Sequence, residues 1–274
     1  MPDPYASITT ADPAVLERLV AALEVRAADL LTRGILHEFL SEIPFPEGAR
    51  VLEIGCGTGA VTRVLAARPD VSETVGVDPS PVFIAKAMEV AARAGRLRFH
   101  EADGRALPLA DANFDVVIFH TTLCHVPKPE AALTEALRVL RPGGLLAVFD
   151  GDYATTTFAT GNFDPLQCCA DAAIDGLVHD RWLIRKLPTM ICSAGFEAPR
   201  CRSYGYTALP EPSYMFTLVD RGADLLLAAG RIGPKMADAL KAEARRRAEV
   251  NHFYGLIVFA SAVARKPTST GTRS

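Results

Sequence analysis

The sequence between Arg50 and Asp150 alternates short apolar segments with segments of helical periodicity. The apolar segments have the length of buried strands, and they lie at 50–54, 73–77, 97–101, 114–119 and 145–150. Helical patterns begin after Gly59, Ser80 and Pro129. Strands that alternate with helices form a mainly parallel sheet covered on both faces. We therefore predict an α/β, Rossmann-like, doubly wound fold.

Segments on both sides of this alternation complete the predicted architecture. Residues 1–48 carry two amphipathic patterns and form an N-terminal helical segment. Apolar segments at 198–206 and 255–265 add two strands, so the mainly parallel sheet has seven strands. Between Asp150 and these strands, 180–194 is predicted to be a helix and 151–164 a loop.

Two helical patterns, 213–229 and 234–250, precede the last strand and suggest an inserted unit. Its apolar face must be buried against something, and a lid over the substrate pocket is the predicted role. A dimer interface and a helical pair far from the site are the alternatives. The predicted units are the N-terminal helical segment 1–48, the ligand-binding domain 49–206 and 253–266, the helical insertion 207–252 and a disordered tail 267–274.

Charge and composition exclude several classes of function. The 274 residues have a formal net charge of −3, so no large positive field gathers phosphates, and no nucleic-acid partner is predicted. The six cysteines form no C-x-x-C pair, and no cluster has metal-ligand spacing, so no metal is predicted. The apolar run 254–264 is too short to span a bilayer, and the N-terminal sequence does not resemble a signal peptide. We predict a cytoplasmic protein without a membrane span.

The sharpest motif is V-L-E-I-G-C-G-T-G at 51–59, where a strand ends and a glycine-rich turn leads into a helix. Glycines let a ligand approach the backbone closely. In parallel sheets such turns lie at the carboxyl edge, where ligands bind. Gly55, Gly57 and Ala60, with Asp78 about 20 residues on, also satisfy a dinucleotide fingerprint. This motif alone therefore leaves the ligand open.

Features outside the loop decide between these ligands. Glu53 precedes the first glycine by two residues, where a carboxylate suits an ammonium group better than a pyrophosphate. Asp103 ends the third strand, and R-V-L-R-P-G-G-L at 138–145 leads into the fifth. As a set, these features resemble the class I S-adenosylmethionine (SAM)-dependent methyltransferases. They are similar to the small-molecule group that includes the ubiquinone and menaquinone biosynthesis methyltransferases, over roughly residues 48–150.

The resemblance implies SAM-binding roles for residues at the strand ends. Asp78, with Pro79 beside it, would accept hydrogen bonds from both ribose hydroxyls, and Phe83 would cover a face of the cofactor. The alternative for Asp78 is a helix N-cap, and for the glycines a tight turn without a ligand. The loop beneath the methionine part would consist of Glu53, Gly55, Cys56, Gly57 and Gly59.

The third and fourth strands would supply the rest of the cofactor site. The resemblance implies that Asp103, flanked by Ala102 and Gly104, accepts a hydrogen bond from the adenine amino group. A turn residue before glycine is the alternative for Asp103. His120 and Thr121 would lie near the sulfonium.

Four side chains are candidates for further roles at the site. His120 and His125 flank a turn near the expected reaction centre and could take a proton from an acceptor, or simply hold a loop in place. Arg26 and Arg33, in the N-terminal helices, could clamp the methionine carboxylate, because a guanidinium matches a carboxylate bidentately. Solvated helix charges are the alternative for both arginines.

The predicted function is in-line transfer of the SAM methyl group to a small organic acceptor, with S-adenosylhomocysteine (SAH) as the product. Such a displacement depends on alignment and a dry pocket, so it needs no obvious catalytic carboxylate. Two alternatives remain open. The chain could be a SAM-using enzyme of cyclase or lyase type that transfers no methyl group, or a non-catalytic SAM-binding protein. A homodimer remains an open alternative for its assembly.

Overall fold

The computed structural model of the chain describes residues 3–6, 8–91, 96–208 and 212–268. Its strands are β1 (Ala49–Ile54), β2 (Val71–Asp78), β3 (Leu97–Glu101), β4 (Phe114–His120), β5 (Leu140–Thr157), β6 (Arg200–Thr207) and β7 (Leu256–Arg265). Its helices are α1 (Pro13–Ala28), α2 (Leu30–Ser41), α3 (Ala60–Ala66), α4 (Pro81–Ala91), α5 (Pro129–Val139), α6 (Gln167–Leu177), α7 (Leu183–Ser193), α8 (Ser213–Ala228) and α9 (Pro234–Glu249). Ile8–Thr10 and Leu123–His125 form short 3-10 helices.

The sheet is mixed rather than purely parallel. In the described part of the chain its seven strands follow the order β3-β2-β1-β4-β5-β7-β6. Strands β1 to β5 pair in parallel, whereas β7 runs antiparallel to both of its neighbours, β5 and β6. The prediction of a Rossmann-like sheet of seven strands is therefore confirmed. The sheet is not parallel throughout, however, because β7 runs opposite to the other strands.

The direction of β7 places the helical insertion. Thr207, the last residue of β6, pairs with Leu256, the first residue of β7. Since β6 runs in the same direction as β1 to β5, the connection through α8 and α9 leaves and re-enters the sheet at its carboxyl edge. The predicted insertion 207–252 begins on the last residue of β6, and 209–211 lie outside the described residues.

The segment after β4 differs most from the sequence prediction. β5 was expected at 145–150 with a loop at 151–164, but it extends from Leu140 to Thr157. Gly151 and Asp152 were predicted to lie in the loop, yet both are in register with β7, opposite Phe259 and Val258. Long-range pairing overrides the weak local strand preference of aspartate and glycine. Helix α6, which the sequence did not predict, follows this extended strand.

Both faces of the sheet are covered by apolar side chains. On β4, Val116 and Ile118 belong to one cluster, and Val117 and Phe119 to the other. This alternation follows from the two-residue period of a strand. Helices α2, α6 and α8 contribute to the first cluster, and α5 and α7 to the second. A sheet buried on both faces leaves its edges as the places for a ligand.

The N-terminal helices begin at side-chain caps and enclose one end of the sheet. Asp12 caps α1 by accepting a hydrogen bond from the N–H of Ala14, and Asp29 caps α2 through the N–H of Thr32. Leu16 and Leu19 of α1 pack with Ile8 and Phe83 in a separate small cluster. The N-terminal segment therefore contacts α4, which follows the second strand of the sheet.

Helix α8 packs closely on α6. A Cβ at Gly222 would lie 2.0 Å from the carbonyl oxygen of Cys169, so only glycine allows this approach.

Across the described ranges, no helix combines the length and apolar character needed to cross a membrane. Of the predicted disordered tail 267–274, residues 269–274 lie outside the described residues.

Candidate functional site

A cavity of about 340 Å³ lies at the carboxyl ends of β1, β2 and β4. This is the edge of an open α/β sheet at which ligands bind, and the volume is within the range of small-molecule sites. Gly59 and Ala102 do not line the cavity. The predicted site residues that line it are Arg26, Arg33, Glu53, Gly55, Cys56, Gly57, Asp78, Pro79, Phe83, Asp103, Gly104, His120, Thr121 and His125.

The glycine loop folds tightly between β1 and α3. The N–H groups of Gly55 and Cys56 both donate to the carbonyl oxygen of Val77. Gly55 has φ +74°, and a Cβ there would lie 2.1 Å from Cγ2 of Thr122. Gly59 has φ +76°, and its Cβ would meet the ring of Phe99 at 2.6 Å. Gly59 thus allows helix α3 to approach β3, which explains why it does not line the cavity.

Glu53 places a buried carboxyl group at the cavity. The residue is 2% exposed and accepts a hydrogen bond from the hydroxyl of Thr62. Burial raises the pKa of Glu53 to about 8, although the Thr62 hydrogen bond acts in the opposite direction. A buried carboxylate is costly without a positive partner. A ligand with an ammonium group would supply that partner, so the site fits such a ligand.

Asp78 connects the end of β2 to the glycine loop. Its Oδ2 accepts a hydrogen bond from the N–H of Gly57 at 2.9 Å, and its Oδ1 accepts one from the N–H of Ser80 at 2.9 Å. Burial raises the pKa of Asp78 to about 6. The cap of α4 is Ser80, whose hydroxyl accepts from the N–H of Phe83 at 3.3 Å. Each oxygen of Asp78 keeps a further lone pair for a ligand hydroxyl.

Asp103 is more exposed than the other two acids. Its side chain is 44% exposed and forms an ion pair with Arg105 at 2.7 Å, which holds the pKa of Asp103 below its usual value. Gly104 is required where it stands, because a Cβ would lie 2.5 Å from Cγ2 of Ile54. Ala102 donates its N–H to the carbonyl oxygen of Asp78 at 3.1 Å. Ala102 therefore aligns the ends of β2 and β3.

Arg26 and Arg33 reach the cavity from consecutive N-terminal helices but differ in environment. Arg26 donates from Nη1 to the hydroxyl of Thr121 at 2.7 Å. Its guanidinium lies 5.7 Å from the ring centre of Tyr214 and 5.6 Å from that of Phe259. The Nε of Arg26 is buried and has no hydrogen-bond partner. Arg33 is exposed. An anionic ligand group could therefore satisfy Arg26 more strongly than Arg33.

The two histidines have opposite electrostatic surroundings. The ring of His120 stacks on Phe149, with centroids 4.8 Å apart and planes 7° apart. Burial, together with the charge of Arg26, lowers the pKa of His120 to about 3. The Nδ1 of His125 lies 2.8 Å from a carboxylate oxygen of Asp3. Of the two, His125 has the partner that suits an imidazole acting on protons.

Cys56 also lines the cavity. Burial raises the pKa of the Cys56 thiol well above its usual value, so the thiol stays protonated and is a poor nucleophile. Within the described ranges, no group of three or more His, Cys, Asp or Glu side chains could hold a metal ion.

Comparison with known proteins places this geometry in a family. The methyltransferase domain family matches residues 52–148. A demethylmenaquinone methyltransferase from Thermus thermophilus is 34% identical over 166 residues, which are 60% of this chain and 68% of that protein. The chain belongs to the class I SAM-dependent methyltransferases. It spans about half the length of several other curated relatives, from 44% to 54%, including an O-methyltransferase of Pyrenophora dematioidea.

Solved structures show that this methyltransferase has the fold of the family. A Bacillus halodurans protein described as a methyltransferase aligns with a TM-score of 0.61 and 20% identity, covering 85% of this chain and 99% of that chain. The (4+2)-cyclase SpnF aligns with a TM-score of 0.54 and 25% identity, covering 87% of this chain and 82% of that chain.

The methyltransferase cavity also contains residues that the sequence did not single out. Tyr5 lines the cavity and packs against His125, with ring centroids 4.5 Å apart and planes 41° apart. Thr122 fills the space beside Gly55, and Arg105 partners Asp103. Arg105 was in principle detectable, because it stands two residues after a predicted site aspartate. Nothing in the sequence indicated that Tyr5 lies in the cavity, because its contact with His125 joins distant parts of the chain.

Proposed function

We propose that this chain binds SAM in the cavity and transfers its methyl group to a small organic acceptor, producing SAH. The observation that carries the proposal is the pair of buried carboxyl groups, Glu53 and Asp78, on one cavity with the glycine loop. Loop glycines allow close approach of a ligand, and the two acids offer partners for an ammonium group and for hydroxyl groups. These are the polar groups of the methionine and ribose parts of SAM.

Each part of the cavity has a proposed role. Glu53 pairs with the ammonium group, and Arg26, with its unpartnered Nε, pairs with the methionine carboxylate. Asp78 accepts from the ribose hydroxyls while holding Gly57 in place. Asp103 and Gly104 contact the adenine. Phe83, which is 2% exposed, covers the cofactor from α4.

The chain contributes alignment and exclusion of water to the reaction. When bound, SAM supplies an electrophilic methyl group on a positively charged sulfur. His120 is the last residue of the apolar strand β4, Thr121 follows it, and both line the cavity beside Arg26. Because His120 stays neutral, it adds no positive charge next to the sulfonium. Holding the acceptor in line with the carbon–sulfur bond can provide much of the rate acceleration.

The binding test uses calorimetry with SAM, SAH and NAD. We expect SAM and SAH to bind and NAD not to bind, because an ammonium group can pair with the Glu53 carboxylate and a pyrophosphate cannot. The reaction test incubates the protein with methyl-labelled SAM and a metabolite extract and identifies labelled products by mass. Tight NAD binding without SAM binding would overturn the assignment.

A second function is favoured by the similarity to the cyclase SpnF. A SAM-binding cavity of this family can belong to an enzyme that transfers no methyl group, because the fold does not determine the reaction. The labelled-SAM incubation separates the two functions. Formation of SAH with a labelled product supports methyl transfer, whereas a cyclised product with SAM unconsumed supports a cyclase.

The helical insertion is proposed to act as a lid. Its described residues do not line the cavity, but Tyr214 lies beside Arg26, which does. The connection through α8 and α9 leaves and re-enters the sheet at its carboxyl edge, where the cavity lies, and this supports the proposal.

The cytoplasmic location, the absence of a nucleic-acid partner and the homodimer remain predictions. Size-exclusion chromatography with light scattering tests the homodimer.

A further inference from the structure

Asp3 is a buried carboxylate next to the candidate site. Its side chain is 2% exposed. The Oδ1 atom accepts a hydrogen bond from the N–H of Tyr5 at 2.9 Å, and Oδ2 accepts one from the N–H of His179 at 2.9 Å. Oδ2 also lies 2.8 Å from Nδ1 of His125. Two backbone donors hold the carboxylate in place, so its position relative to His125 is well defined.

This arrangement determines which nitrogen of His125 carries the proton. A carboxylate only accepts hydrogen bonds, so the neutral ring of His125 must donate from Nδ1. Nε2 is then the ring nitrogen with a free lone pair. His125 lines the cavity and its side chain is 17% exposed, so a ligand can reach the ring. The ring of Tyr5 packs against the ring of His125 in a tilted arrangement, with centroids 4.5 Å apart, and limits its rotation.

His120 provides the contrast. It lines the same cavity, but its neighbour is the cation Arg26, and burial lowers its pKa to about 3. A proton on His120 would be placed beside a positive charge, whereas a proton on His125 would be shared with Asp3. The two histidines that flank the same turn are therefore suited to different tasks.

We propose that Asp3 is a positioning residue that holds His125 as the base for an acceptor hydroxyl group. The proposal rests on the proposed methyl transfer and names its acceptor class as an alcohol or phenol. The acceptor O–H gives its proton to Nε2 of His125, and the oxygen forms the new bond to the methyl carbon. The electron pair of the broken carbon–sulfur bond goes to sulfur, leaving SAH. The products are a methyl ether and SAH, and His125 is left as an imidazolium paired with Asp3. The imidazolium then returns its proton to water.

Other titratable groups also face His125. Asp150 is buried and interacts with the charge of His125. Both of its oxygens have backbone partners, since Oδ2 accepts from the N–H of Cys124 at 3.1 Å and Oδ1 from that of Gly151 at 2.9 Å. Tyr5 and Cys124 have pKa values raised by burial and stay neutral. Asp3 is the carboxylate with a hydrogen bond to the ring.

The first test measures the tautomer of His125 directly. Long-range proton–nitrogen spectra of ¹⁵N-histidine-labelled protein are recorded with and without SAH, and His125→Asn assigns the signal. We expect the Nδ1–H tautomer in the wild type and a shift towards Nε2–H in Asp3→Ala. An Nε2–H tautomer in the wild type overturns the proposal. An unchanged tautomer in Asp3→Ala also overturns it, because Asp150 or another group would then hold the ring.

The second test measures turnover with the compound that the labelled-SAM incubation identifies. We expect a labelled methyl ether, and kcat lowered by about 10²-fold or more in His125→Asn. Asp3→Asn should lower kcat by a smaller factor with little change in SAH affinity, and Glu17→Gln, an exposed carboxylate on α1, serves as the control. Methyl groups found only on carbon or nitrogen, or unchanged kcat in both variants, overturn the proposal. If the wild-type protein does not bind SAH, that result would instead count against the proposed function.

Discussion

Glu53 and Asp78 end neighbouring parallel strands, and both carry a proton more readily than acids in water do. Burial raises the pKa of Glu53 to about 8 and that of Asp78 to about 6. A ligand that brings positive charge and hydroxyl donors reverses this effect by favouring the ionised forms. If the two residues bind the ligand as proposed, we therefore expect binding to be accompanied by proton release.

The affinity for SAH should rise with pH between 6 and 8. The free protein holds a proton on Glu53 in this range, and pairing with the ammonium group expels it, so low pH opposes binding. Above about pH 8 Glu53 is already ionised and its contribution to the pH dependence ends. Calorimetry in two buffers of different ionisation enthalpy should detect the released proton. Glu53→Gln controls for titration of the ligand, and an equal proton release in this variant contradicts the prediction.

Asp78→Ala should weaken SAH binding by about 1–3 kcal/mol, the usual cost of leaving buried hydrogen-bonding groups without a partner. The variant removes the acceptor for the ribose hydroxyls and frees the N–H of Gly57. Asp70→Asn is the matched control, since Asp70 pairs with Arg68 in the loop before β2. Calorimetry gives the affinities, and melting curves show whether the fold is intact. Equal affinities in the two variants would remove Asp78 from the cofactor site.

Helices α6 and α8 form one packed element, although one was missed in the sequence and the other was read as part of a separate unit. The apolar face of α8 includes Met215, Val219 and Ala223, which are fully buried. Replacing 209–251 by a flexible linker would expose this part of the core. That replacement would therefore be a poor test of the lid role. The substitution Tyr214→Phe leaves the helix in place and is a better test, with acceptor turnover as the measurement.

Gly222→Ala should destabilise the protein by about 1–3 kcal/mol or more, because overpacking against a backbone group is poorly relieved. The added Cβ would lie 2.0 Å from the carbonyl oxygen of Cys169. Gly34→Ala on α2 is the matched control. Nothing lies within 4 Å of its Cβ, so it should stabilise the helix by about 1 kcal/mol. Urea unfolding measures both, and similar effects of the two substitutions would contradict the close approach of α8 and α6.

Elements with strong local signals could be predicted from sequence, and those defined by distant pairing could not. The strand at 97–101 has the predicted bounds, and the glycine loop lies at the predicted edge of the sheet. Residues 151–157 were predicted to be a loop because Gly151 and Asp152 are poor strand formers locally. Gly151 and Asp152 pair with residues of β7 that are more than 100 positions further along the chain, and this pairing keeps them in the sheet.

At the scale of the whole molecule, the site is built from two parts of the chain. The region matched by the family, 52–148, supplies the acids and glycines that the sequence indicated. The N-terminal segment adds Tyr5 and Arg26 from outside that region. No local pattern marks such residues, because their place in the cavity depends on how the N-terminal segment packs against distant residues such as Phe83 of α4. Sequence reasoning could propose Arg26 only as one of two candidates.

Deletion of residues 1–11 should lower the affinity for SAH while the rest of the protein stays folded. Tyr5, Ala6, Ile8 and Thr9 line the cavity, so their removal opens it to water. Starting at Asp12 preserves the cap of α1. Calorimetry measures the affinity, and circular dichroism checks the fold. Wild-type affinity in the shortened protein would show that this segment does not close the site.

The position of β7 between β5 and β6 has a consequence for synthesis on the ribosome. Strands β1 to β5 pair with one another on the side of the sheet that carries the glycine loop. This side can therefore begin to form while the rest of the chain is still emerging. β6 has no partner until β7 follows it, some fifty residues later. During this interval an unpaired strand edge is exposed. A translational pause after β6 should therefore increase aggregation of the nascent chain more than a pause after β7.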